Sequence, residues 1–343
     1  MEGMINNKTP KLFVRNILLG NKAFFILLIM ACCLSIMSPY FLTKVNLLNV
    51  LRQVCVSTLL SIGFTMVLAS GHMDLSVGSL LGLCGMVLAK LIMEAHVPVW
   101  LAILMMLFFA VFCGAINAAI ITVFKVPPFI VTMATQYVFR GANYLISKLI
   151  PIAGLPDSLT TIGQGYWFGI PIPVYIMFAV VVIMWIVLDN TKFGRYVLAM
   201  GGNLEAAKMC GINTDIMRFS VYMCGGFCTG LAAIVATARA ASAQVGAGTG
   251  MEMDAIAAVV IGGTSMKGGN ANVTGTLFGC LIVGLVNNGL NLLNVDSNWQ
   301  VVAKGLLILL AVIIDVLSAN QYAAQLNKQA SENLAKMEGE LEL

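Results

Sequence analysis

Long apolar runs, interrupted by short polar or glycine- and proline-rich connections, fill the chain from residue 23 to residue 318. A helix needs ~20 mostly apolar residues to cross the hydrocarbon of a bilayer, and about ten runs reach or approach that length. They cover 23–42, 47–70, 76–93, 97–124, 127–147, 172–189, 217–240, 253–266, 272–294 and 298–318. The pattern predicts an all-α polytopic membrane protein of about ten transmembrane helices. Two runs are weak. The fifth opens on Pro127-Pro128 and carries Arg140, and the eighth contains Ile261-Gly262-Gly263 and then Gly268-Gly269, which predicts a broken helix. A tail over 1–22 and a polar tail over 319–343 flank the apolar domain at 23–318.

Composition agrees with a bilayer environment. Hydrophobic residues make up 59% and charged residues 10% of the chain, against ~25% charged in an ordinary soluble domain. The net charge of +4 is small, and the basic residues form no patch that would bind nucleic acid. They set topology instead. With the N-terminus inside, the inner segments hold Lys8, Lys11, Arg15, Lys22, Lys125, Lys192, Arg195, Lys208, Arg218, Lys267, Lys328 and Lys336, while the outer ones hold Lys44 and Lys148, with Arg239 near that border. Both termini are then expected in the cytoplasm. The first run follows a basic tail but no small-residue cleavage site follows it, which predicts a signal anchor.

Candidate chemistry is sparse. The chain has nine cysteines and only His72 and His96 as histidines. No spacing among them suits zinc, and no disulfide framework or metal site is expected. Cys224 and Cys228 stand one helical turn apart in an apolar run and read as core residues. No hydrolase constellation is visible. The stretch Gly262 to Gly269 fails as a phosphate loop because Gly268 follows Lys267. The chain is therefore expected to be no enzyme and to bind no ATP.

The two halves read alike. Gly114 and Asn117, an apolar stretch, Val126 and Arg140-Gly141 match Gly284, Asn287 and Asn288, an apolar stretch, Val295 and Lys304-Gly305. The fourth and ninth spans carry these asparagines in opposite directions, as an inverted repeat predicts.

The long cytoplasmic connection over 190–216 is the most specific feature. A short helix fits there. Gly201 and Gly202 precede it, Asn203 caps it, Glu205 suits its positive end and Gly211 ends it. Read alone, this is an interfacial linker. Glu205-Ala206-Ala207 with Gly211 four positions on, however, resembles the Glu-Ala-Ala signature of ATP-binding-cassette importer permeases. Asp74-Leu75-Ser76-Val77-Gly78, Val126-Pro127-Pro128-Phe129-Ile130, Asp254 through Gly263, Asn287-Asn288-Gly289 and Trp299-Gln300 also resemble, in order, motifs of the ribose, xylose and galactose permeases. The likeness runs from about residue 40 to residue 316. His72-Met73 and Thr132-Met133-Ala134-Thr135 depart from the usual pattern, which leaves the sugar open.

The resemblance implies a bacterial inner-membrane permease subunit, pairing with a second permease copy or similar chain and importing a monosaccharide, ribose first. A separate ATPase subunit would hold ATP and Mg, and an extracytoplasmic sugar-binding protein would deliver cargo, touching 148–171. Gly201, Gly202, Asn203, Glu205, Ala206, Ala207 and Gly211 would couple to the ATPase.

Pathway candidates are Asn117, Asn287, Asn288 and Asn291, whose amides both donate and accept. The equal alternative is hydrogen bonding between helices. Phe129, Thr132, Gln136 and Gln300 follow. Asp74 reads as a helix cap or a gate, and Asp254 as a gate or structural polar group. Arg140 reads, like Asp254, as a gate or structural polar group; Arg140 and Lys304 are expected to snorkel to an interface, with pairing inside the bundle as the alternative, and His72 to lie at the surface or cap a helix. The competing readings are an ion-coupled secondary transporter, which needs a coupling carboxylate at Asp74, Asp254 or Asp315, and a membrane scaffold or channel.

Overall fold

The computed structural model describes residues 22–296, 298–310, 312–313 and 316–317. The basic tail before residue 22, Asp315 and the polar tail from 319 lie outside the described residues. The bundle is formed by α1 (Lys22–Met37), α2 (Lys44–Ala69), α3 (Val77–Met93), α4 (Val99–Val123) and α5 (Pro128–Ser147) in the first half. After the short α6 (Asp157–Gln164) come α7 (Ile172–Asn190), α8 (Lys192–Gly202), α9 (Leu204–Met209), α10 (Thr214–Ala240), α11 (Met251–Ile261) and α12 (Val273–Leu292). The last described helix is α13 (Asn298–Leu310).

Each of the ten expected runs carries a helix. Five helices, α2, α4, α7, α10 and α12, are long and apolar enough to cross a membrane by length and composition. The others are shorter or more polar, and α11 ends where the glycines at 262 and 263 predicted a break. The all-α expectation holds apart from two two-residue ladders. Strand β1 (Ile152–Ala153) pairs antiparallel with β4 (Ser242–Ala243), and β2 (Tyr166–Trp167) pairs with β3 (Ile170–Pro171).

Local chemistry sets the helix starts. Thr43, Asn213 and Asn272 turn side-chain oxygens onto the free N–H groups of Asn46, Ile216 and Gly275. Proline occupies the first turn of α5, where its missing N–H costs nothing.

Helix α2 is the most enclosed of the long helices, and α10 packs against α2, α3 and α4. Contact between α4 and α10 is backbone to backbone. A Cβ on Gly114 would strike the Tyr222 carbonyl, and one on Gly226 the Ala110 carbonyl. Small residues allow this approach, which membrane helices use because burial of apolar surface drives association little there.

The core of the bundle is mainly apolar but holds scattered polar groups, and the outside is apolar. Thr58, Ser61, Thr65, Asn117, Asn143 and Thr276 are buried. Trp100, Leu104, Phe108 and Phe112 form an exposed stripe along α4 at four-residue spacing, each more than half exposed. Such a stripe faces lipid or another apolar chain. The two ends also differ. Lys125, Lys192, Arg195, Lys208, Arg218 and Lys267 gather at one end, and the β-ladders, α6, Lys44, Arg52, Lys90, Lys148 and Arg239 at the other.

Asn46 and Asn288 exchange amide hydrogen bonds of 3.0 and 2.7 Å, tying α2 to α12. Replacing Asn288 with Ala is expected to lower stability by about 1 kcal/mol, the scale of an interhelical polar contact in a membrane. The double change Asn46→Ala/Asn288→Ala should cost less than the sum of its parts. Thermal unfolding of the purified variants measures both, and strict additivity would show that the pair does not bind the helices.

Candidate functional site

The basic end is built around α8 and α9. Asn203 Oδ1 accepts from Ala206 N at 2.9 Å and caps α9, and Gly211 lies at φ +80°, ending it as expected. Ala207 is buried and anchors the helix, whereas Ala206 is exposed. Glu205 has 78% of its side chain exposed and pairs with Lys208 at 2.8 Å. One face of α9 therefore holds to the bundle while Glu205, Ala206 and Met209 face outward. The connection holds two helices where one was expected, because Thr191 also caps α8.

Behind α9 the main chain makes a joint. Gly269 N donates to Ala69 O at 2.9 Å. A Cβ on Gly201 would stand 2.6 Å from Gly269 N and 3.0 Å from Ala69 C, and one on Gly268 2.7 Å from Gly71 Cα. Three segments thus meet without side chains between them: the end of α2, the end of α8 and the turn from α11 to α12.

A second junction lies deeper. Helix α11 is preceded by irregular backbone over 244–250, and α3 by the 70–76 loop. The first turns of α3 and α11 meet at Gly78 and Gly248, where a Cβ on either would overlap the other's carbonyl. Two short helices meeting by their N-termini is the arrangement that inverted repeats produce.

Side chains of α5 satisfy the irregular segment. Arg140 Nη1 donates to Ala247 O and Asn143 Nδ2 to Val245 O, both at 2.9 Å. Gln136 Nε2 donates to Glu252 Oε1 at 2.9 Å. Glu252 is buried, and its Oε2 has no hydrogen-bond partner. Sequence reasoning missed Glu252. The signal available was a second carboxylate two positions before Asp254, just after a glycine-rich stretch.

The expected snorkelling of Arg140 and Lys304 is corrected here. Arg140 binds a carbonyl that unwinding leaves free, and Lys304 Nζ pairs with Asp254 Oδ2 at 3.0 Å. His72 is likewise no free surface group. Its Nε2 accepts from Arg218 Nε at 3.1 Å, and its Nδ1 lies 3.0 Å from the Ser70 carbonyl. It stands in the 70–76 loop, where burial first and the Arg218 charge second pull its pKa down to about 4. The ring is neutral at neutral pH.

Asp74 Oδ1 accepts from Ser76 N at 2.9 Å and Ser76 Oγ at 2.6 Å, and Asn117 Nδ2 donates to Ser76 Oγ at 3.0 Å. Asp74 thus closes an Asx turn at the entry to α3, and Asn117 braces it from α4. Asn117 is fully buried. Asn291 Oδ1 accepts from Gln300 Nε2 at 2.9 Å, linking α12 to α13. Asn287 Oδ1 is buried without a partner. Thr132 is buried and donates to Pro128 O at 2.9 Å. Phe129 is 49% exposed, and Met133 and Tyr137 continue its open face along α5.

A family model described as branched-chain amino acid transport system / permease component matches residues 46–312. Among named relatives, the ribose import permease protein of Haemophilus influenzae is 39% identical, over 91% of this chain and 98% of that one. The ribose import permease protein of Bacillus subtilis is 44% identical, over 84% and 90% respectively. The D-allose transport system permease protein of Escherichia coli is 38% identical, over 85% and 90%. No solved structure matches the chain. The matched span takes in both junctions and the α8–α9 connection, so the chain belongs to this family of multi-pass membrane permease components, alongside relatives named for sugar transport.

Proposed function

We propose that this chain is the pore-forming subunit of an ATP-binding-cassette importer for a monosaccharide, ribose first. The relatives' names support the sugar class. The observation that carries the coupling assignment is α9, an outward-facing short helix at the basic end, set on a joint made of main chain alone. A separate ATPase, holding ATP and Mg, docks on Glu205, Ala206 and Met209, while Ala207 and Gly211 hold the helix in shape. Both termini and α9 lie in the cytoplasm of a bacterial inner membrane, in keeping with the basic residues at that end. A binding protein delivers sugar to the opposite end, around 148–171.

A second copy faces the open side of α5, and Phe129, Met133 and Tyr137 line the path between copies. Gln136 and Glu252 supply polar groups at its edge. Asn117, Asn288 and Asn291 serve the bundle by bonding to neighbouring segments, so they are set aside as cargo contacts. Asp74 and Arg140 hold the two entry loops, and Asp254 pairs Lys304.

The test is detergent purification of the tagged chain from its native membrane. An ATPase is expected to copurify, and Glu205→Lys with Gly211→Val should release it and reduce ATP-driven sugar uptake at least tenfold while the bundle stays folded. Uptake that persists in liposomes with no ATPase present would sink the assignment.

A further inference from the structure

At the basic end a cavity of about 760 Å³ opens between α4, α5, α9 and α10. That volume lies within the ~300–1,000 Å³ range of small-molecule sites. Its charged lining is Lys125, Lys208, Arg218 and Asp215, and Lys208 is paired with Glu205 at 2.8 Å. Arg218 is held in place by Asp215 at 3.2 Å and by the neutral His72. Lys125 makes no ion pair among the described residues, and its backbone sits at φ +52°. Thr122 Oγ1 is buried beside it with no partner.

Two further features select the ligand. The positive ends of the long helices α5 and α10 both border the cavity, which favours an anion. Val123 and Phe124, adjoining Lys125, are 68% and 72% exposed. Within the cavity, Ile121, Val126, Leu204 and Ile212 add apolar lining, which suits an anion carried on a larger organic group. Basic cavities between membrane helices on the cytoplasmic side are the type that hold phosphate head groups.

We propose that this cavity binds the phosphate of an organic phosphate ester, with Lys125 and Arg218 as its principal partners. Phosphate fits because it offers more acceptor oxygens than a carboxylate to share between Lys125, unpaired among the described residues, and the remaining N–H groups of Arg218. The ester has two possible sources, a phospholipid head group or a soluble sugar phosphate. The site adjoins α9, so its occupant contacts Lys208 on the helix proposed to meet the ATPase. The binding itself does not rest on that proposal.

The test uses the full chain in dodecyl maltoside micelles, whose detergent carries no phosphate. One arm adds radiolabelled ribose 5-phosphate and measures retention by equilibrium dialysis. The other includes phosphatidylglycerol and counts retained lipid by native mass spectrometry. At least one probe is expected to bind, and Lys125→Asn/Arg218→Gln should weaken it at least tenfold. Lys125→Asn alone, at an exposed loop position where Asn tolerates the left-handed backbone, should weaken it about threefold by removing one phosphate contact. Lys90→Gln, at the other end of the bundle, should change nothing. Binding in the soluble arm alone assigns a sugar phosphate, and binding in the lipid arm alone assigns a head group. If neither probe binds, or binding survives both Lys125 variants, the proposal fails, whether or not an ATPase copurifies.

Discussion

Asp254→Ala is expected to destabilise the bundle by about 1–3 kcal/mol, the cost of leaving one member of a part-buried ion pair without its partner. Lys304 reaches Asp254 at 3.0 Å, and only 15% of the Asp254 side chain is accessible. Helices α11 and α13 carry the pair between apolar neighbours, Ala257, Val283 and Leu307. Once Asp254 is removed, the ammonium must find a new carbonyl or drag water inward. Lys304→Met should leave the carboxylate in the same position and cost a similar amount. The double variant Asp254→Leu/Lys304→Met should recover most of the loss, because apolar replacements of similar size need no partner. Thermal unfolding of the four proteins in one detergent decides this. A double variant as unstable as the sum of the singles would mean that the pair is not the reason both charges are tolerated.

Gly201→Val should reduce uptake to a tenth or less of wild type, while Gly202→Ala should leave it near normal. The two neighbours differ sharply in their surroundings. A Cβ at Gly201 meets main-chain atoms of Ala69 and Gly269 at 3.0 Å or closer, and no flexible side chain is there to move aside. Overpacking of this kind costs ~1–3 kcal/mol, and more where backbone must shift. At Gly202 the Cβ would touch only Gly269 Cα, at 3.8 Å, which is ordinary contact. Uptake and thermal stability measured side by side test the contrast. Equal loss in both variants would mean that α8 tolerates no side chain here for some reason other than the joint.

How far the chain could be read in advance follows the distance over which each feature is specified. The apolar runs, the cap at Asn203 and the stop at Gly211 depend on a few neighbouring residues, and the structure has all of them where periodicity put them. The Asn46–Asn288 pair spans 242 residues of sequence, and the Gln136–Glu252 pair spans 116. Nothing local selects those partners. The partner of Arg140 was hidden for a related reason. Its role depends on the carbonyl of Ala247, freed only because the backbone before α11 is not helical. The glycines at 246, 248 and 250 hinted at unwinding, but not at which arginine would answer it. The resemblance carried the family, whereas single polar residues in the bundle could be sorted only once their partners were visible.

The joint at Ala69, Gly201 and Gly268 also bears on how such a protein diversifies. Glycine has no side chain to drift, so the fit between these segments places no demand on the residues that meet cargo. If α5 lines the path as proposed, mutations along it can accumulate under selection for a new sugar without retuning the proposed linkage to an ATPase. A lineage built this way can change what it carries many times while inheriting one transmission.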